Sequence, residues 1–414
     1  MKNIIVKNDN RFKSVFVTVN LLLPLVEDNM GKNALLALVL KKSSSKYKTE
    51  KELERALAKS YNASLDVFVE KVNNLYKISF GMEFLNAKYI ENIEEIKEIL
   101  YSIICTPNIN NNLFDEKIFE LEKQSLIKKI EEEKDDKRRY AIKRLEEEMF
   151  KGTPYGEPTL GTVESVSKIT NEELVKHFKY VLQEAFLQVT AVGNLKDMES
   201  MPEDIYKKVS GYCGKQSLEI TQDVEKEITD IQTTIDKQEI NQSVLCIGLV
   251  IPNTKKEDTY KCMLYNAILG GTPASKLFQN VREKESLAYF SKAQYNRQKN
   301  VIYTFSGIAP EMYEKAKEVM LKQVELLKAG DITDVEFNAA KQSLVSAYVE
   351  LSDTKVTQAK TLLANEIHFG RTVDFKEMIE EIEKLEKEDV IQIANKVKVS
   401  NIYLLGGVND ANWT

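Results

Sequence analysis

One plan of secondary structure is written twice along this chain, and that repetition limits what it can fold into more than any other feature. The run Ser14-Val15-Phe16-Val17-Thr18-Val19-Asn20-Leu21-Leu22-Leu23-Pro24 is rich in β-branched and apolar residues and stops at a proline, as a buried strand does. Ser243-Val244-Leu245-Cys246-Ile247-Gly248-Leu249-Val250-Ile251-Pro252 repeats the pattern, with Ser243 lying 229 residues after Ser14. An apolar helical segment follows each run, at 33–40 and at 260–269. Lys123-Gln124-Ser125-Leu126 returns as Lys341-Gln342-Ser343-Leu344, 218 residues on. The first half closes on Val189-Thr190-Ala191-Val192-Gly193-Asn194 and the second on Ile402-Tyr403-Leu404-Leu405-Gly406-Gly407, an offset of 213. Each pair alone is weak, but a near-constant offset across all of them marks a tandem duplication.

Each half alternates short strands (65–71 and 75–81, then 288–295 and 301–307) with long amphipathic helices. Adjacent strands followed by runs of helix predict an α+β fold: two similar domains, each an antiparallel-rich sheet with helices packed on one face. The expected boundaries are 1–213 and 243–414, joined by a polar, charged linker over 214–242. A chain of 414 residues with 43% apolar and 29% charged residues has material for two cores.

A net charge of −6 gives no basic footprint for nucleic acid. The N-terminus lacks the apolar stretch of a signal peptide, and no window reaches the ~18 apolar residues of a membrane span, so a cytoplasmic location is expected. The Lys, Asn, Ile and Glu bias hints at an AT-rich bacterial genome. Cys105, Cys213, Cys246 and Cys262 are too scattered for a zinc knuckle or a redox pair, and are expected to be buried free thiols. There are two histidines, His177 and His368, far apart in sequence. Both fall in helical segments, and each is expected to be exposed or to cap a helix.

The most specific block of the second half reads Leu269-Gly270-Gly271-Thr272-Pro273-Ala274-Ser275-Lys276-Leu277-Phe278, then Val281-Arg282-Glu283-Lys284-Glu285-Ser286-Leu287-Ala288-Tyr289. With the duplicated plan, this resembles the pitrilysin family of metallopeptidases, which includes insulinase and the mitochondrial processing peptidase. The resemblance spans nearly the whole chain. Active members carry His-x-x-Glu-His on the first helix after the first strand and a glutamate ligand on a later helix. Such a set holds zinc with an open position, and the motif's glutamate takes a proton from the metal-bound water. Here the matching segment is Asn33-Ala34-Leu35-Leu36-Ala37, so Asn33, Leu36 and Ala37 stand where the histidines and glutamate would be. Lys129, or Lys128 if the register slips by one, replaces the later ligand, and a cation there would repel zinc.

What the resemblance leaves in place is an arginine followed seven residues later by a tyrosine, Arg282 and Tyr289. In active members that pair reaches the zinc site of the facing half or subunit. A guanidinium can hold peptide carbonyls, and a phenol can donate to the oxyanion formed as water attacks. A solvated arginine and a half-buried strand tyrosine are the bland alternative, disfavoured because the surrounding block is kept with them. The resemblance therefore implies a zinc-less subunit with no independent activity and no cofactor of its own. It would pair as a heterodimer with a homologous zinc-bearing subunit and present Arg282 and Tyr289 to a peptide. A structural or assembly protein of the same fold is the second reading. A self-sufficient hydrolase would need a site built from carboxylates such as Glu122, Glu131 and Glu132, which suit hard cations better than a hydrolytic zinc.

Overall fold

A computed structural model of the chain describes residues 1–90, 92–215, 217–220, 230–238 and 240–407. The first sheet contains β1 (Ile4–Asn8), β2 (Ser14–Pro24), β3 (Ser64–Val72), β4 (Leu75–Leu85) and β5 (Phe186–Gly193), in the order β1-β5-β2-β4-β3. The second contains β6 (Gln232–Gln238), β7 (Ser243–Val250), β8 (Ala288–Asn296), β9 (Val301–Ile308) and β10 (Lys398–Gly407), in the order β6-β10-β7-β9-β8. The two orders are identical once five is subtracted from each label in the second. In each sheet one pair is parallel, β1 with β5 and β6 with β10, and the others are antiparallel. The α+β class, the duplication and the antiparallel-rich sheets are as the sequence predicted.

The helices that matter below are α1 (Met30–Leu40), α2 (Ile93–Cys105), α3 (Glu116–Glu132), α4 (Lys137–Met149), α5 (Asn171–Glu184), α6 (Thr259–Asn266), α7 (Asp334–Leu351) and α8 (Lys355–Phe369). In the first compact unit, Val15, Val17, Val19, Leu21 and Leu23 of β2 share one buried cluster with Leu35 and Leu36 of α1, Ile99 and Ile103 of α2 and Val181 of α5. The period of two puts Phe16 and Leu22 on the opposite face. There, with Ile5, Phe186 and Val192, they meet Ala359, Leu362, Leu363 and Ile367 of α8. Helices thus pack on one face as expected, and a single helix from the far half of the chain covers the other.

The second compact unit does the reverse. Ala141, Leu145 and Met149 of α4 pack on Val244, Cys246, Val301, Tyr303, Phe305, Tyr403 and Leu405 of its sheet. Tyr303 Oη donates to Glu146 Oε2 at 2.8 Å, tying helix to strand through a polar contact as well. The first unit accordingly comprises 1–132, 157–221 and 351–373, and the second 133–156, 222–350 and 374–414.

Part of the stretch read as a linker is sheet. Gln232–Gln238 pairs in parallel with β10 at the sheet edge. Its sequence, Gln-Thr-Thr-Ile-Asp-Lys-Gln, has no buried position, and such a polar edge strand carries no apolar period for sequence reading to detect. Residues 221–229 of the expected linker lie outside the described residues.

After α6 the chain winds into a wider turn, Ala267–Gly271, in which Gly270 leaves the helical region (φ −159°, ψ 17°). The reason is close approach: a Cβ on Gly270 would lie 2.5 Å from Ala293 N and 2.7 Å from Ala293 Cβ. Gly270→Ala is therefore expected to cost about 1–3 kcal/mol through overpacking against strand backbone. Urea unfolding checks this, and an unchanged midpoint would mean that the turn gives way freely.

Candidate functional site

The segment expected from the resemblance to match the zinc motif is packed shut. Asn33, Leu36 and Ala37 of α1 are 2%, 0% and 3% exposed. Leu36 and Ala37 join the main hydrophobic cluster of the first unit. Asn33 is held by a partner that the sequence reading placed elsewhere: His177 Nε2 donates to Asn33 Oδ1 at 2.8 Å. The His177 ring stacks on Tyr180 with centroids 5.5 Å apart.

His177 is thus neither exposed nor a cap. It lies on the buried stripe of α5 with Leu174, Phe178 and Val181. The spacing 174, 177, 178, 181 is the core face of an amphipathic helix, so the signal was present in the sequence and was outweighed by the polarity of the side chain. His368 is also buried, in the last turn of α8, against Phe369 at 4.6 Å. Its place at a helix end was predicted and its burial was not.

Burial holds the His177 imidazole neutral, lowering its pKa from 6.5 to about 4, with the nearby Lys32 charge adding to the effect. The unfolded chain then binds a proton between those values that the folded chain refuses, so stability is full above pH 6.5 and lost as pH falls toward 4. By pH 5 this one group is expected to remove roughly 2 kcal/mol. Urea unfolding at pH 7 and pH 5 checks the loss, and His177→Phe should flatten that difference. An unaltered pH dependence in the variant would assign the loss to other groups.

The position of the later ligand fits a metal no better. Lys128 and Lys129 are exposed on α3, with Lys128 3.6 Å from Glu132. Glu122 alone among the three carboxylates considered is buried, and it is held by Lys42 at 3.3 Å while Glu131 and Glu132 are exposed. Among the described residues no cluster of three or more His, Cys, Asp or Glu side chains could hold a metal ion. An asparagine, a leucine, an alanine and a lysine do not form a zinc donor set. The four cysteines are buried free thiols, and burial raises each of them, Cys213 to about 11.

Arg282 and Tyr289, by contrast, are presented to solvent from an anchored base. Leu277 and Val281 (both 0% exposed) and Leu287 (7%) fasten the segment between the glycine turn and β8. Arg282 lies in the last turn of Phe278–Lys284 with its guanidinium 4.6 Å over the Phe278 ring and 3.6 Å from Glu283. Its side chain remains 42% exposed. Ser286 takes a left-handed conformation (φ 52°), and the chain then enters β8, an edge strand. Ala288 faces Ile308 and Phe290 faces Gly307, so Tyr289 is the extra residue of a β-bulge. Bulges re-aim side chains and interrupt pairing. Tyr289 is 71% exposed, the greatest exposure of any tyrosine among the described residues.

Residues 168–344 match the family described as the peptidase M16 inactive domain. A "probable inactive metalloprotease YmfF" of Bacillus subtilis is 27% identical over 99% of this chain and 96% of its own. The crystal structure of a conserved protein from Enterococcus faecalis superposes with a TM-score of 0.90 at 23% identity, covering 99% of this chain and 97% of that one. A peptidase M16 inactive domain from Pseudomonas fluorescens superposes at 0.79 with 18% identity, covering 98% and 95%. The matched family and the Bacillus subtilis relative are both described as inactive. In sequence and fold the chain is similar to M16 peptidases of the inactive type, in line with the pitrilysin resemblance. Among the described residues no helix is long and apolar enough to cross a membrane.

Proposed function

We propose that this chain is the zinc-less subunit of a two-subunit M16 peptidase, supplying Arg282 and Tyr289 to a peptide held between it and a zinc-bearing homologue. The observation that carries this reading is a contrast within one molecule. Asn33, Leu36 and Ala37, at the expected place of the zinc motif, are sealed into the core, while Arg282 and Tyr289 remain exposed on an anchored, bulged segment. A protein kept only for its shape has no need of that contrast. Arg282 would hold peptide carbonyls through its planar fork, and the Tyr289 hydroxyl would donate to the oxyanion formed by water attack in the partner's site. Zinc and the general base belong to the partner in this scheme.

The test is peptide cleavage by this chain alone, by a zinc-motif homologue from the same organism alone, and by their mixture, with zinc measured in each. Activity is expected in the mixture only, with zinc following the homologue. A homologue fully active alone that never co-elutes with this chain would instead favour a structural or assembly role.

A further inference from the structure

Beside the bulge, in the second unit, lies an open cleft of about 350 Å³ bordered by Lys137 and Arg138 of α4, Asn241, Gln242, Val244 and Phe290. At this end of α4 the helix dipole is met by the cap residue Asp136, whose side chain accepts from Arg139 N–H, and the first turn itself contains no acidic residue to pair with Lys137 or Arg138. Arg139 is 3.3 Å from Asp136, whereas Arg138 is exposed and forms no ion pair among the described residues. Among the described residues Lys137 Nζ donates only to a neutral amide, Gln238 Oε1, at 3.2 Å.

The Phe290 ring and the Gln242 amide both lie against a glycine of the neighbouring strand. A Cβ on Gly307 would collide with the Phe290 ring and come within 2.9 Å of Gln242 Nε2. The absence of that Cβ lets ring and amide lie together in the wall. A cation rim, two amides and an aromatic surface suit a carboxylate on a short apolar stem, because charged donors pair the anion while the ring covers its methylenes. Phe290 directly follows Tyr289, so the cleft adjoins the exposed tyrosine along the strand.

We propose that this cleft is a specificity subsite for a peptide carboxylate, either an Asp or Glu side chain or a free C-terminus. The inference rests on the peptide-gripping reading above and adds a substrate preference to it. The test is fluorescence anisotropy on the full chain with four labelled octapeptides. They carry a central Glu or Gln, each made as the free acid and as the C-terminal amide. The carboxylate form that fits is expected to bind at least about tenfold tighter than its neutral counterpart, about 1.4 kcal/mol. Whether the Glu or the free terminus brings the gain identifies the source. The gain should vanish in the Lys137→Gln/Arg138→Gln double variant and shrink in Gly307→Ala, with circular dichroism confirming that both variants are folded.

Equal affinities for all four peptides overturn the proposal. If that shared binding is lost in Arg282→Ala, the gripping role survives without the subsite. If Arg282→Ala leaves it unchanged, both fall. No binding of any peptide at millimolar concentration also overturns the subsite and leaves the gripping role to the cleavage assay.

Discussion

Residues 1–213 expressed alone are expected not to fold cooperatively. That fragment contains every strand of the first sheet and the helices of its main core, yet it lacks α8. Phe16, Leu22, Phe186 and Val192 would then face water in place of Leu362, Leu363 and Ile367. Leaving a large apolar side chain exposed forfeits about 1.5–3 kcal/mol. Four such losses approach or exceed the roughly 5–15 kcal/mol by which domains are stable. The fragment would also carry α4 with Ala141, Leu145 and Met149 deprived of their sheet. The expected state binds ANS, keeps helical far-UV signal and lacks near-UV structure. A fragment that unfolds in one sharp urea transition would show that α8 is dispensable to the first core.

Tyr289→Phe and Arg282→Ala should each leave the fold intact and disable peptide cleavage by the reconstituted pair. Both side chains are exposed, so substitution is expected to change stability by no more than about 0.5 kcal/mol. Loss of one donor to a developing oxyanion costs about 10²–10³ in kcat, and Tyr289→Phe removes only that hydroxyl. Arg282→Ala should act largely through KM if the guanidinium holds the substrate's backbone equally in ground and transition states. Steady-state kinetics of the mixture measure both, with thermal melts of each variant as the control for folding. Activity within twofold of the unmodified pair for both variants would remove these residues from the reaction and leave the chain a structural role.

Much of this was legible along the chain because periodicity and spacing are local properties. The strand at 14–24, the helix after it, and their copies near 243 and 260 declared themselves by β-branched runs, prolines and helical spacing. The expectation that zinc ligands are missing at Asn33, Leu36, Ala37 and Lys129 rests on residue identity at fixed positions, which needs no fold. The strand at Gln232–Gln238 was not legible, because an edge strand with neither face buried has no apolar alternation. His177 was misjudged for the opposite reason: its stripe position was plain, but a polar ring is assigned to the surface until a buried partner is known.

Along the chain alone, periodicity and offset specify the duplicated α+β plan and the two core patterns, and residue identity carries the expectation of missing metal donors and of a kept Arg282 and Tyr289. Three features appear only in the folded chain: α4 packs on the second sheet and α8 on the first, Asn33 pairs with His177, and Tyr289 is lifted from the ladder by a bulge. The reason is physical. Repeats and motifs are set by neighbours within a few residues, whereas each of these three features is a contact or register between segments distant in sequence, fixed by which surfaces close on one another.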